Sequence, residues 1–343
     1  MIKPITIKLF GISLFIMLTL PLTACSNGPL QESNTSLHAQ NSTTEQVPET
    51  TKDIPPEEVP STAQSKNSTA ARDNIPSVRV PKADGIVSYS NPTETAVIDA
   101  SHAEDGYVMV SYSGDNPKVK LQITGSNQIT YSYDLHGNGF ETFPLTSESG
   151  SYTVAVYESL PTGRYSLALS ETIDVTIQDE FGPYLYPNQY VNFDASTKAV
   201  ALASDIVSES SNDLDVVADI YNYVIKNVTY DYDKANTVQS GYLPVVDETL
   251  TTKKGICFDY ASLMASMLRS QNIPTRLEIG YASDSYHAWI STYITDIGWV
   301  NGIIEFDGKD WTLMDPTFAA SSSEKALKKF IGDGSNYVTE YVY

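Results

Sequence analysis

The sequence predicts an α+β chain with two folded parts: an all-β immunoglobulin-like sandwich, then a helix packed on an antiparallel sheet. Three observations carry this. Apolar residues alternate with period two from about Val78 to Gln178. The period becomes helical after Asn212. Strand-like runs then return in "PTRLEIGYA", "YHAWISTYI", "GIIEFDG" and "DWTLMDPTF".

In chain order, residues 1–24 read as a signal peptide. Lys3 and Lys8 give a positive start, "LFGISLFIMLTLPL" an apolar stretch, and "LTAC" a small-residue cleavage site. The apolar run is shorter than the ~20 residues a spanning helix needs, and Pro21 interrupts it. "LTAC" resembles the bacterial lipobox, which implies cleavage before Cys25 and lipid on its thiol. The mature chain would then be held at the extracytoplasmic face of the cell membrane. Ordinary secretion with an incidental cysteine is the alternative. Residues 25–77 are rich in Ser, Thr, Pro and Glu, and no aromatic residue occurs between Phe15 and Tyr89. Such a segment buries too little apolar surface to order itself, so a disordered linker is expected.

Residues 78–182 are expected to form the sandwich. "QITYSYDL" sets Ile129, Tyr131, Tyr133 and Leu135 on one face; "RYSLALS" does the same with Tyr165, Leu167 and Leu169, and "ETIDVTI" with Ile173, Val175 and Ile177. "TAVIDA", "YVMVSY", "KVKLQIT" and "SYTVAVY" are further strands, separated by breakers such as "HGNG" and "LPTG". A second folded part is expected over 183–343. There "DLDVVADIYNYVIKNV" places Leu214, Val217, Ala218, Tyr221, Val224 and Ile225 on one helical stripe, with Asn212 as N-cap. "VTYDYD" reads as extended. All three tryptophans fall in this part, which suggests an aromatic core and cleft.

The formal net charge of −21 opposes binding to nucleic acid and gives no polybasic grip on anionic lipid. Cysteine usage is more telling. The chain has two, and if Cys25 carries lipid then Cys257 has no partner of its own. A leftover thiol in an exported protein points to reactivity or intermolecular pairing. In "KKGICFDYASLMASMLRSQNIP", Ala261, Met264, Ala265 and Leu268 recur at helical spacing, and Asn272 before Pro274 makes a stop. Cys257 therefore stands in or beside the first turn, where unpaired N–H groups and the helix dipole favour a thiolate. Lys253 and Lys254 act the same way if near.

A thiolate nucleophile needs a base, and the second part has one histidine, His287, thirty positions on. An imidazole needs an orienting group, and Asp315 follows twenty-eight positions later at the end of "WTLMD". If the His and Asp strands are neighbours, these side chains meet before Cys257. Taken singly, Cys257 also reads as a small buried hydrophobe, His287 as a core histidine and Asp315 as a turn residue. Together they read as a catalytic set.

"GICFDYASLMASMLRSQNIPTRLEIGY", "YHAWI" and "WTLMDPTF", in this order, resemble the transglutaminase-like superfamily over roughly Ala199 to Ala320. The resemblance implies a papain-like core, with Cys257 the nucleophile, His287 the general base and acid, and Asp315 the orienting carboxylate. It implies attack on an amide carbonyl through a thioester acyl-enzyme. Family members complete an oxyanion hole with an upstream side chain, for which Gln239 is the candidate. Tyr286 and Trp289, flanking His287, are candidates to wall the cleft. No cofactor is expected, and no metal: one His and one Cys are too few for zinc, and the pairs Asp231/Asp233 and Asp247/Glu248 lack a calcium-loop pattern.

Three functions stay open at this point. One is a peptidase or amidase acting as a monomer on protein or peptide at the cell surface. The second is a transglutaminase that crosslinks through an amine acceptor. The third is a surface binding or adhesion module with an idle triad.

Overall fold

A computed structural model describes residues 72–137, 139–282, 285–295, 297–301, 304–306, 311–313 and 337–343. Cys25 lies outside the described residues, as does Asp315. Eight strands come first: β1 (Ser88–Ser90), β2 (Ala96–Asp99), β3 (Tyr107–Tyr112), β4 (Val119–Thr124), β5 (Thr130–Leu135), β6 (Phe140–Pro144), β7 (Gly150–Ser159) and β8 (Tyr165–Val175). They form two antiparallel four-stranded sheets, ordered β1-β2-β3-β6 and β5-β4-β7-β8. Alternation decides which side chains turn inward: Tyr131, Tyr133 and Leu135 are buried, as are Leu121, Ile123, Val154 and Val156. Both sheets contribute to one hydrophobic core.

The last two expected strands are one. Val156 lies opposite Leu169, but Tyr157 lies opposite Leu167, so Ala168 is an extra residue in β8. That bulge reverses the alternation beyond it. Tyr165 and Leu167, expected inside, are exposed, whereas Leu169, Ile173 and Val175 remain buried.

The expected linker also ends earlier than residue 77. Arg72 pairs with Asp213 at 2.9 Å and donates to the main-chain oxygen of Gln271. The Ser77 N–H donates to Ser270 O at 2.7 Å. Residues 72–77 are thus fastened to the second part of the chain.

That part begins with α1 (Lys198–Ile206) and α2 (Asp213–Asn227). Asn212 caps α2, its side chain accepting from Asp215 N–H at 3.0 Å. The buried stripe is Val216, Val217, Ile220, Tyr221 and Val224, turned slightly from the expected one, so that Leu214, Ala218 and Ile225 sit at its margin. The extended reading of "VTYDYD" holds only for β9 (Thr229–Tyr230). Asp231 then caps a short helix, α3 (Tyr232–Thr237), by accepting from Lys234 N–H. After α4 (Val246–Thr252) and β10 (Lys254–Gly255) comes α5 (Cys257–Ser270). The Asp247 carboxylate accepts from the N–H groups of Lys198 and Ala199 at the start of α1.

Helix α5 is the centre of this half. Every residue from Asp259 to Ser270 is buried, because α1, α2 and α4 pack on it from one side and a sheet from the other. Asn272, at φ 58°, takes the left-handed conformation that ends the helix. The sheet contains β11 (Thr275–Ala282), β12 (Ser285–Ile294), β13 (Gly298–Asn301) and β16 (Tyr337–Val342), ordered β13-β12-β11-β16 and antiparallel throughout. A separate pair joins β14 (Ile304–Phe306) to β15 (Trp311–Leu313). Among the described residues the strand leading to Asp315 therefore pairs with β14, not with the His287 strand.

Arg269 links these layers although fully buried. Its guanidinium donates to Thr275 O twice, at 3.0 and 2.8 Å, to Tyr186 O at 2.7 Å and to Tyr343 O at 2.9 Å. Burial pulls its pKa down, while four oxygen contacts favour the charged form. The guanidinium stays a cation at neutral pH.

Candidate active site

Cys257 is the first residue of α5 and is half-buried. Two interactions position it. β10 pairs in parallel with β9, Gly255 lying opposite Tyr230, which fixes the chain just before the thiol. Asp259, two residues further and fully buried, accepts from the Ile256 N–H at 2.8 Å and satisfies one orphan donor of the first turn. The side chain of Asp259 also explains the glycine: a Cβ on Gly255 would lie 2.6 Å from the Asp259 Cβ.

Asp259 reaches outward as well. Its carboxylate pairs with the Lys234 ammonium at 2.8 Å and accepts from the Tyr242 phenol at 2.5 Å. Lys234 donates to that phenol at 2.6 Å and sits 4.4 Å from the centre of the ring. Burial pushes the Tyr242 phenol up, and the carboxylate beside it adds to the effect. The network ties α3 and the following loop to the start of α5. The sequence reading missed it. Its signal was an acid at the third helical position, two after the cysteine. Lys253 and Lys254 are exposed and do not line the cavity described next; Lys253 closes α4 in a left-handed conformation.

His287 lies on β12, opposite Gly280 of β11, and is buried. Cys257 and His287 line one cavity of about 450 Å³. Its other walls come from four places. The loop Val238–Leu243 supplies one, with Gln239 exposed and its amide donating to Thr237 O at 2.8 Å. Tyr286, Ile279 and Tyr341 of the sheet supply another, together with Tyr343. Tyr190 and Phe258 meet edge to face at 5.3 Å and form the third. The fourth belongs to the first half of the chain: Lys120, Thr130, Ser132, Asp134 and His136.

Aromatic residues do line the cleft, but they are mainly tyrosines. Burial pushes the phenols of Tyr190 and Tyr286 up to about 12, so both stay neutral hydrogen-bonding groups. Trp289, the other expected wall, is not among the lining residues. It is buried, stacks on His287 at 6.3 Å and donates its indole N–H to Glu278 at 3.1 Å. Residues on β12 alternate, yet both faces of this strand are covered, so the tryptophan spends its surface on packing and one bond. Among the described residues no cluster of three or more His, Cys, Asp and Glu side chains has the arrangement of a metal site.

Residues 200–302 match the model of the transglutaminase-like superfamily. The uncharacterized protein YebA of Bacillus subtilis is 26% identical over 197 residues, covering 49% of this chain and 26% of YebA. The UPF0252 protein MJ1282 of Methanocaldococcus jannaschii is 34% identical over 90 residues, covering 23% of this chain and 26% of that protein. The chain thus spans about a quarter of the length of both curated relatives. A solved structure described as a candidate cysteine protease, from Cytophaga hutchinsonii, is similar at 17% identity and a TM-score of 0.36, over 74% of this chain and 73% of its own. The chain carries a transglutaminase-like domain, matched over residues 200–302.

Proposed function

We propose that the protein is a thiol enzyme that attacks amide bonds of protein or peptide substrates, with hydrolysis as its main outcome. The observation that supports this is the sharing of one cavity by Cys257, at the start of a helix, and His287, on the facing sheet. His287 takes the thiol proton, and the sulfur bonds to the substrate carbonyl carbon. The carbon–nitrogen bond breaks, the leaving nitrogen takes the proton from the imidazolium, and a thioester remains. Water, deprotonated by His287, attacks that carbon. The carbon–sulfur bond breaks, and the acid leaves. Asp315 is assigned the orientation of the imidazole. Gln239 is assigned an oxyanion contact alongside the Cys257 N–H, which its place on the cavity wall supports.

The leader and "LTAC" support a lipid anchor on Cys25 and a place on the outer face of a bacterial membrane. The two sheets of the first half are read as an immunoglobulin-like sandwich, which their antiparallel order and common core support.

Casein, offered with and without a labelled primary amine, tests the reaction. The expected result is release of acid by the native protein and none by Cys257→Ala. Amine incorporation outpacing acid release would make the protein a crosslinking transglutaminase. No turnover, with a Cys257 whose alkylation is indifferent to His287→Ala, would leave a binding module.

A further inference from the structure

The fourth wall of the cavity is the edge of a sheet. β5 pairs only with β4, which makes it the outermost strand of its sheet among the described residues. Which of its main-chain groups face outward follows from the turn before it. The Ile129 carbonyl accepts from the Gly125 N–H, so Ile129 and every second residue after it bond towards β4. The N–H and C=O groups of Thr130, Ser132 and Asp134 therefore point to the free edge. The same three residues line the cavity that holds Cys257 and His287.

One of these outward acceptors is already in use. The Gln189 side-chain amide donates to Asp134 O at 2.7 Å and to the Glu141 carboxylate at 2.8 Å. A carboxamide is the group that an incoming peptide presents, and here one docks on the edge. Nearby, the Lys120 ammonium pairs with Asp134 at 2.7 Å and the His136 ring hydrogen-bonds to Glu141 at 3.1 Å. Beyond Gln189 the open part of the edge offers the main chain of Thr130 and Ser132, whose hydroxyls already bond within the sheet to Thr124 Oγ1 at 2.8 Å and Gln122 Nε2 at 3.3 Å. It suits an uncharged, extended backbone.

We infer that β5 is a docking strand: an extended segment of the polypeptide substrate pairs with the outward main chain of Thr130 and Ser132 while its reactive amide lies before Cys257. The first half of the chain is then part of the substrate site, recognising backbone and leaving side chains largely free. This rests on the thiol-enzyme reading given above. Long Lys side chains and proline, which guard exposed edges elsewhere, do not occur within β5 itself.

The probe for the test is a pentapeptide of alanine and serine carrying an iodoacetyl group, compared with iodoacetamide on the full chain. The readout is the ratio of their rates of Cys257 alkylation. Two or so main-chain hydrogen bonds make the peptide faster by about tenfold. A strand bonds to an edge through alternate residues, so N-methylation at one alternate set of peptide nitrogens should abolish the gain and at the other set leave it. Ser132→Pro should lower the ratio as the damaging methylation does, since proline at an outward edge position keeps the fold but removes the N–H. Equal rates for both methylated peptides, or a ratio that Ser132→Pro leaves unchanged, overturn the docking strand. Failure of the thiol-enzyme reading appears separately, as an iodoacetamide rate that His287→Ala does not alter.

Discussion

Tyr242 and Asp259 are joined by a 2.5 Å hydrogen bond, phenol to carboxylate, across the gap between the cavity loop and helix α5. Asp259 is completely buried, and its other partners are the Ile256 N–H and the Lys234 ammonium. Removing the carboxylate strands the Ile256 N–H and leaves the Lys234 ammonium and the Tyr242 phenol with only each other. Asp259→Ala is expected to cost about 3–5 kcal/mol of stability. Tyr242→Phe leaves two of the partners in place and should cost about 1–2 kcal/mol. Urea unfolding of both variants checks the order; equal losses would dissolve the network as an explanation.

Gly255 is required for space, not for a left-handed backbone, since it has no positive φ. Gly255→Ala drives a methyl group against the Asp259 Cβ and should cost about 1–3 kcal/mol. Because the strain falls beside Cys257, alkylation of the thiol should change together with stability. A fully stable Gly255→Ala protein with native alkylation kinetics would show that the helix start has slack.

Arg269 gives a larger effect at a distance from the cavity. Arg269→Met keeps most of the volume but removes the guanidinium donor from the oxygens of Tyr186 and Thr275 and leaves that of Tyr343 with only the Leu277 N–H. The expected loss is about 3–5 kcal/mol. Arg269→Lys should recover only part, because one ammonium cannot span the same oxygens. Thermal unfolding distinguishes the two.

A pH effect is expected at the other end of the molecule. His102 lies between Asp84 at 2.8 Å and Asp105 at 2.9 Å, and their hydrogen bonds raise its pKa above the ordinary 6.5. A raised value means the folded state holds the proton more tightly. The two pairs thus contribute fully below about 6.5 and fade as pH rises through the raised value. NMR titration of His102 should give a higher midpoint in the native protein than in Asp84→Asn. Matching midpoints would remove Asp84 as the cause.

His287 carries the sharpest functional expectation. His287→Ala should lower turnover by about 10²–10⁴-fold, the usual contribution of a positioned acid–base group. Release of acid from casein by the single variant, measured against Cys257→Ala, is the check. Near-native turnover would place the base elsewhere.

Legibility in the sequence followed physical locality. α5, its stop at Asn272 and the Asn212 cap were readable because each depends on a few adjacent residues. The strands β11 and β12 were readable from alternation and composition. α1, α3 and α4 were missed: six to nine residues give too little periodicity, and Asp231 capping α3 mimics a turn within a strand. Pairing was less legible than the elements themselves, since nothing near "DWTLMDPTF" says that β15 pairs with β14. In the site, Cys257 and His287 stood out by scarcity. Tyrosines, at 23, were too numerous for the few that line the cavity to be singled out, and the three tryptophans drew attention instead. The wall made by β4 and β5 was hidden altogether, because sheet residues with outward polar side chains look solvated until another part of the chain faces them.

β16 has a consequence for the order in which the protein is made. Tyr341 and Tyr343 line the cavity and enter a ring cluster with Tyr131, Tyr133 and Tyr190 that spans both halves. They are synthesised long after Cys257. While the ribosome is still adding the intervening residues, helix α5 and its thiol exist without the wall that β16 brings. The pocket is completed by a strand that begins eighty residues after Cys257, so the thiol is made before one wall of its cavity.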